Sequence, residues 1–142
     1  MMKLYLVLAT IEQDERIYYK WNLYNDDEEL IFQSRNAVIK DDLKSTIKVF
    51  IDILFCVNKL SNDIELNLWT NLEFISNYFY RNRIVKKLHY DDFELMEILR
   101  NAMKGITPSK LRESNEVKFL KASHDALLKQ VEQSLKPVKT DG

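Results

Sequence analysis

The chain has 142 residues, of which 46% are apolar and 30% charged, with a formal net charge of −1. That length suits one domain with a real core, and the balance excludes a disordered or fibrous chain. A charge near zero also excludes nucleic-acid binding through bulk charge, leaving only a local basic patch for that purpose.

Residues 4–9 (LYLVLA) are apolar almost without interruption, the pattern of a central strand covered on both faces. The run ends in Thr-Ile-Glu-Gln-Asp-Glu without a small-residue cleavage site, so it reads as a strand rather than a leader. No apolar stretch approaches the ~20 residues of a membrane helix. Residues 16–24 (RIYYKWNLY) alternate, with Ile17, Tyr19, Trp21 and Leu23 on one face and Tyr18, Lys20, Asn22 and Tyr24 on the other. Asn25-Asp26-Asp27-Glu28 is a polar turn, and residues 29–35 (ELIFQSR) read as a third strand. Three strands with short links predict an antiparallel meander.

The period then changes. Asp41 or Asp42 is placed to cap a helix with apolar positions Leu43, Ile47, Phe50, Ile51, Leu54 and Val57. Cys56 falls inside this helix and is expected in the core. As the single cysteine it forms no intrachain disulfide and no cysteine-based zinc site, which fits a reducing compartment and an expected cytoplasmic location. Ile64, Leu66 and Leu68 mark a fourth strand, and Phe74, Ile75, Tyr78 and Phe79 the helix after it. Asp91 and Glu94 have the spacing of a capping box before a helix using Leu95, Leu99, Ala102 and Met103, which Gly105 is placed to end. Thr107-Pro108-Ser109 reads as a loop, residues 116–122 (EVKFLKA) as a fifth strand, and Asp125 as the cap of a final helix through Leu128, Val131 and Leu135. The expected order is βββαβααβα: an α/β domain over residues 1–135 with a mixed sheet of about five strands, and a flexible tail over 136–142.

This order resembles the ribonuclease H-like fold over nearly the whole chain. The stretch FLKASHDALLKQ, with Lys121, His124 and Asp125, is similar to the turn into that family's last helix, and DDFELMEILRNAM to the helix preceding its last strand. The resemblance implies a nuclease in which clustered carboxylates hold two divalent ions, Mg²⁺ or Mn²⁺, against a phosphodiester. It places those carboxylate positions at Ala9 or Thr10, near Asp42, at Thr70 or Asn71, and at Asp125. Both strand positions are therefore neutral here. Asp42, Asp125 and the proton-shuttle candidate His124 are what the resemblance leaves for catalysis. Glu12 and Glu73 are the nearby substitutes if the ligands have moved.

No Gly-x-Gly-x-x-Gly or phosphate-binding loop exists in a chain with two glycines, and no nucleophile elbow is present. The best binding candidate is residues 80–90 (YRNRIVKKLHY), where Arg81, Arg83, Lys86 and Lys87 stand between tyrosines without an acid. Cations neutralise phosphates and aromatic rings stack on unpaired bases. The same segment is equally a solvated loop balancing the acids at 26–29. Tyr18 and Tyr24 offer a protein-partner or homodimer surface if the outer face of their strand is uncovered. The expectation is a ribonuclease H-like binding module without catalysis and without cofactor, acting on nucleic acid or within a nucleic-acid-processing assembly. The alternatives are a Mg²⁺- or Mn²⁺-dependent nuclease with relocated carboxylates, and a protein-interaction scaffold or homodimer.

Overall fold

The computed structural model describes residues 1–81, 92–110 and 114–135. A long first strand, β1 (Met2–Gln13), turns into β2 (Arg16–Asn25) in antiparallel register from Leu4↔Asn25 to Gln13↔Arg16. The two-residue turn places Asp14 and Glu15 at φ 54° and 60°, the left-handed pair that a tight hairpin demands. The next strand is split. β3 (Leu30–Gln33) pairs with the end of β2, and β4 (Ala37–Lys40) with its beginning. The sequence suggested one strand over 29–35. It breaks at Ser34, whose Oγ accepts the Trp21 N–H at 2.8 Å and so takes a backbone place in the ladder.

α1 (Leu43–Asn58) starts at Asp42, whose carboxylate accepts the Ser45 N–H at 2.7 Å. Those hydrogen bonds hold the Asp42 carboxyl below its ordinary range. Ile47, Phe50, Ile51, Ile53, Leu54 and Val57 face the sheet. Cys56 lies on the other side of the helix and is exposed, not in the core as its apolar surroundings suggested. β5 (Ile64–Thr70) then runs parallel to β1, with Leu4↔Leu66 and Leu8↔Thr70. α2 (Glu73–Arg81) and α3 (Phe93–Ala102) follow. Asp92 rather than Asp91 caps α3, accepting the Leu95 N–H at 2.9 Å; Asp91 lies outside the described residues. Gly105 adopts φ +79°, and a Cβ there would stand 2.4 Å from the Asn62 carbonyl oxygen. Only glycine allows that approach.

The last two elements correct the sequence reading. β6 (Ile106–Pro108) is the final strand, three residues long and parallel to β5. Residues 116–122, expected as a strand, belong to α4 (Ser114–Leu135). The expected order βββαβααβα gains one strand, β4, before α1, and its last strand lies at 106–108 instead of 116–122. A strand this short carries no visible alternation, and Pro108 is tolerated because β6 is an edge.

The sheet runs β3-β2-β1-β5-β6, with β4 also on β2. Leu4, Leu6 and Leu8 face α1, α2 and α3; Tyr5, Val7 and Ala9 face α4. β1 is thus buried on both sides, as its unbroken apolar run predicts. Glu116 fastens the start of α4 to β1 by accepting from Lys3 Nζ at 3.1 Å and the Tyr5 hydroxyl at 3.0 Å. That contact raises the Lys3 pKa above its ordinary value. Tyr24 also lies under α4, edge-on to Phe119 and 2.5 Å from the Ser123 hydroxyl. The Tyr24 end of the strand-two face is therefore covered, and does not form the open surface that its tyrosines suggested.

Candidate functional site

The parallel strands β1 and β5 end side by side, and the chain leaves β5 through Thr70-Asn71-Leu72 to enter α2. The Asn71 Oδ1 accepts the Thr10 N–H at 3.0 Å and the Thr10 hydroxyl at 3.1 Å, while its Nδ2 donates to the Thr10 carbonyl at 2.8 Å. An amide can satisfy a backbone N–H and a backbone C=O together because it carries both an acceptor and donors. Asn71 therefore does not cap α2. The Thr70 hydroxyl accepts the Leu72 N–H at 3.2 Å, a local turn ahead of the helix.

Thr10 and Asn71 are among the positions, Ala9 or Thr10 and Thr70 or Asn71, at which the resemblance expects metal-binding carboxylates. Neither carries charge, and the one strong ligand oxygen, Asn71 Oδ1, already accepts two hydrogen bonds from Thr10. Two dications require anionic oxygen ligands, so Thr10 and Asn71 do not fit them. The remaining candidates stand apart. Asp42 is committed to the α1 N-terminus. Asp125 is exposed in the interior of α4, and Glu12 and Glu73 are exposed at the end of β1 and the start of α2. Among the described residues no three of His, Cys, Asp and Glu approach closely enough to hold a metal ion.

His124 lies on the buried face of α4 with Leu120, Ser123, Leu127 and Val131. Neither an exposed turn nor a helix cap surrounds it, because the helix begins ten residues earlier at Ser114. Burial lowers its pKa, and the neighbouring Asp125 only partly opposes that. Its Nε2 is buried without a hydrogen-bond partner among the described residues.

A cleft of about 390 Å³ opens at the other edge of β5, beyond the point where β6 stops. Trp69, Thr70, Ser76, Asn77, Arg81 and Lys110 contribute to its wall, with no carboxylate among the described residues. Neither Arg81 nor Lys110 pairs with an acid among the described residues. The cleft exists because β5 outruns β6. Past Leu66↔Pro108 the outer edge of β5 has no strand beside it among the described residues, and a tyrosine completes it instead. The Tyr80 hydroxyl accepts the Leu68 N–H at 2.8 Å and lies 3.0 Å from the Leu68 carbonyl and 3.2 Å from that of Ser109. Its burial raises the Tyr80 pKa, keeping the hydroxyl protonated to donate.

Of the four cations proposed for nucleic acid, Arg81 lines this cleft; Arg83, Lys86 and Lys87 lie outside the described residues, as does most of segment 80–90. Lys110 was not singled out from the sequence. It stands 29 residues from Arg81 in the chain, and only the end of β6 brings it there. No local pattern could have shown that.

No family model and no curated protein sequence matches the chain. Solved structures do. The RNase H1 called LC11, isolated from compost by a metagenomic approach, superposes with a TM-score of 0.60 at 12% identity, over 96% of this chain and 100% of that one. The fold is ribonuclease H-like. The N-terminal RNase H domain of Rv2228c from Mycobacterium tuberculosis, solved as a fusion with maltose binding protein, gives a TM-score of 0.56 at 12% identity, covering 96% of this chain and 100% of that one. A second LC11-RNase H1 structure, in complex with an RNA/DNA hybrid, gives 0.56 at 10% identity, over 94% and 99% of the two chains. The mixed sheet with helices on both faces is the architecture that the sequence resemblance implied, whereas the turn it placed at Lys121, His124 and Asp125 lies inside α4. No helix among the described residues is long and apolar enough to cross a membrane.

Proposed function

We propose that this chain is a ribonuclease H-like module that binds nucleic acid without cutting it. The observation that carries this reading is the neutral Thr10–Asn71 clasp at the two strand ends, where the fold's chemistry calls for carboxylates. Stabilising two divalent ions requires charge that an alcohol and an amide do not supply. Binding has other support. The cleft beside β5 offers two cations for phosphates and an indole for an unpaired base, and its volume lies in the ~300–1,000 Å³ range of ligand sites. The ligand class we propose is RNA, DNA or their hybrid, taken up in the cytoplasm, alone or within a nucleic-acid-processing assembly. Arg83, Lys86 and Lys87 would extend the cationic track from Arg81.

Two measurements on the full chain test the reading. Fluorescence anisotropy with labelled single-stranded DNA, single-stranded RNA and an RNA/DNA hybrid at low salt should show saturable binding, weakened by Arg81→Ala combined with Lys110→Ala. Incubation of the same substrates with Mg²⁺ or Mn²⁺ should leave them intact. Metal-dependent cleavage would sink the non-catalytic half and favour relocated carboxylates. Absence of binding to all three probes would sink the other half.

A further inference from the structure

At the opposite end of the sheet from the cleft, β3 is the terminal strand and among the described residues pairs only with β2. All four of its residues are exposed, and three are large and apolar: Leu30 at 50%, Ile31 at 41% and Phe32 at 47%. Natural edge strands are protected by charge, proline or cover. β3 contains no charged residue and no proline, and its exposure shows that no helix among the described residues covers it. Phe32 is fixed in place by stacking on Trp21 at 4.7 Å. One feature limits the edge: the register shifts between Leu23 and Tyr24, leaving Ile31 outside the ladder. Such a bulge shortens any strand pairing without removing the apolar surface.

The charges around this edge select its occupant. Asp26, Asp27, Glu28 and Glu29 precede β3, while Arg35 follows it. Glu29 and Arg35 lie equally far on either side of Phe32. An antiparallel two-fold arrangement centred on Phe32 therefore sets Glu29 of each copy opposite Arg35 of the other, and stacks the apolar residues between them. A parallel arrangement would set acid against acid. Arg35 makes no ion pair with any described residue and is free for this contact. We propose that the β3 edge is a self-association surface, joining two copies of this chain antiparallel across a two-fold axis. An isologous contact of this kind closes on itself instead of growing into a fibre. A four-residue edge buries less than the ~800 Å² per partner of a standard interface, so the dimer is weak and concentration-dependent.

Sedimentation equilibrium of the full chain from about 1 μM to about 1 mM, the span over which a small interface associates, tests this proposal. The expected result is a monomer–dimer equilibrium that Glu29→Arg or Arg35→Glu alone weakens at least ~10-fold, as like charges now face each other. The double variant Glu29→Arg with Arg35→Glu restores it. Ile31→Lys, at an exposed position off the ladder, abolishes it without loss of fold, checked by circular dichroism. A chain that stays monomeric throughout overturns the proposal, as does a double variant no tighter than its single parents. Both swaps lie across the sheet from Arg81 and Lys110, so their effects are separable from nucleic-acid binding.

Discussion

Asn71 and Thr10 close the space between β1 and β5 with three hydrogen bonds, two accepted by the Asn71 carbonyl oxygen and one donated by its nitrogen. The donated bond, Nδ2 to the Thr10 carbonyl, is the one that a carboxylate cannot make. Asn71→Asp is therefore expected to destabilise the fold at neutral pH by about 1–3 kcal/mol, since it loses a donor and sets a negative oxygen against a carbonyl. Urea denaturation measures the difference. It should narrow toward pH 4, where protonation of the introduced carboxyl restores a donor. A variant as stable as the wild type at pH 7 would show that the clasp contributes nothing.

The same pair allows a gain-of-site test. Thr10→Asp with Asn71→Asp would place two carboxylates at adjacent strand ends, where their repulsion favours a shared cation. Mn²⁺ is expected to raise the melting temperature of the double variant and to leave that of the wild type unchanged, because only a state that binds the ion is stabilised by it. Equal shifts in both proteins would mean that the ion acts elsewhere.

Tyr80 holds the outer edge of β5 where β6 has ended, bonding both Leu68 backbone groups. Tyr80→Phe keeps the ring but leaves a buried N–H and C=O without this partner. The expected cost is about 1–3 kcal/mol. Amide exchange gives the specific signature: Leu68 should lose protection more than Leu6 or Leu8 on neighbouring β1. Uniform loss across the sheet would indicate a general packing defect instead.

How far the sequence foretold this depended on whether each residue's neighbours lie close in the chain. β1, β2, α1 and β5 announced themselves, because their apolar periods record which face meets the core. α4 did not. Its inner face includes Ser123 and His124 beside Leu120, Leu127 and Val131, so two polar residues interrupt the helical period and Val117, Phe119 and Lys118 imitate a strand's alternation. β6 escaped notice because three residues ending in proline have no period. The neutrality of Thr10 and Asn71 was legible as residue types, whereas their mutual hydrogen bonding spans 61 positions and needed the fold. Lys110 reaches Arg81's cleft by the same kind of long-range placement.

His124 predicts a dependence of stability on pH. Burial lowers its folded pKa below the ordinary value, so the unfolded chain binds the proton more readily. Its contribution is fully present above the unfolded pKa of about 6.5 and is lost as pH falls through the folded value. Urea midpoints should therefore drop from pH 7 to pH 5.5, and His124→Gln, which does not titrate, should flatten that segment of the curve. An unchanged slope in the variant would show that another group controls it.

Salt dependence separates a phosphate-binding cleft from adventitious attraction. Each phosphate neutralised on a single strand contributes roughly −0.7 to the slope of log K against log salt concentration. If Arg81 and Lys110 each engage one phosphate, removing either should make the slope shallower by about 0.7 and removing both by about 1.4. Trp69 should act differently. Its indole stacks without charge, so Trp69→Leu should weaken binding to single strands by about 1–3 kcal/mol while leaving the slope unchanged. Titrations at four or five salt concentrations distinguish the two behaviours. A tryptophan variant that alters the slope, or lysine and arginine variants that alter only the intercept, would mean that the cleft does not hold phosphate and base in the places assigned to them.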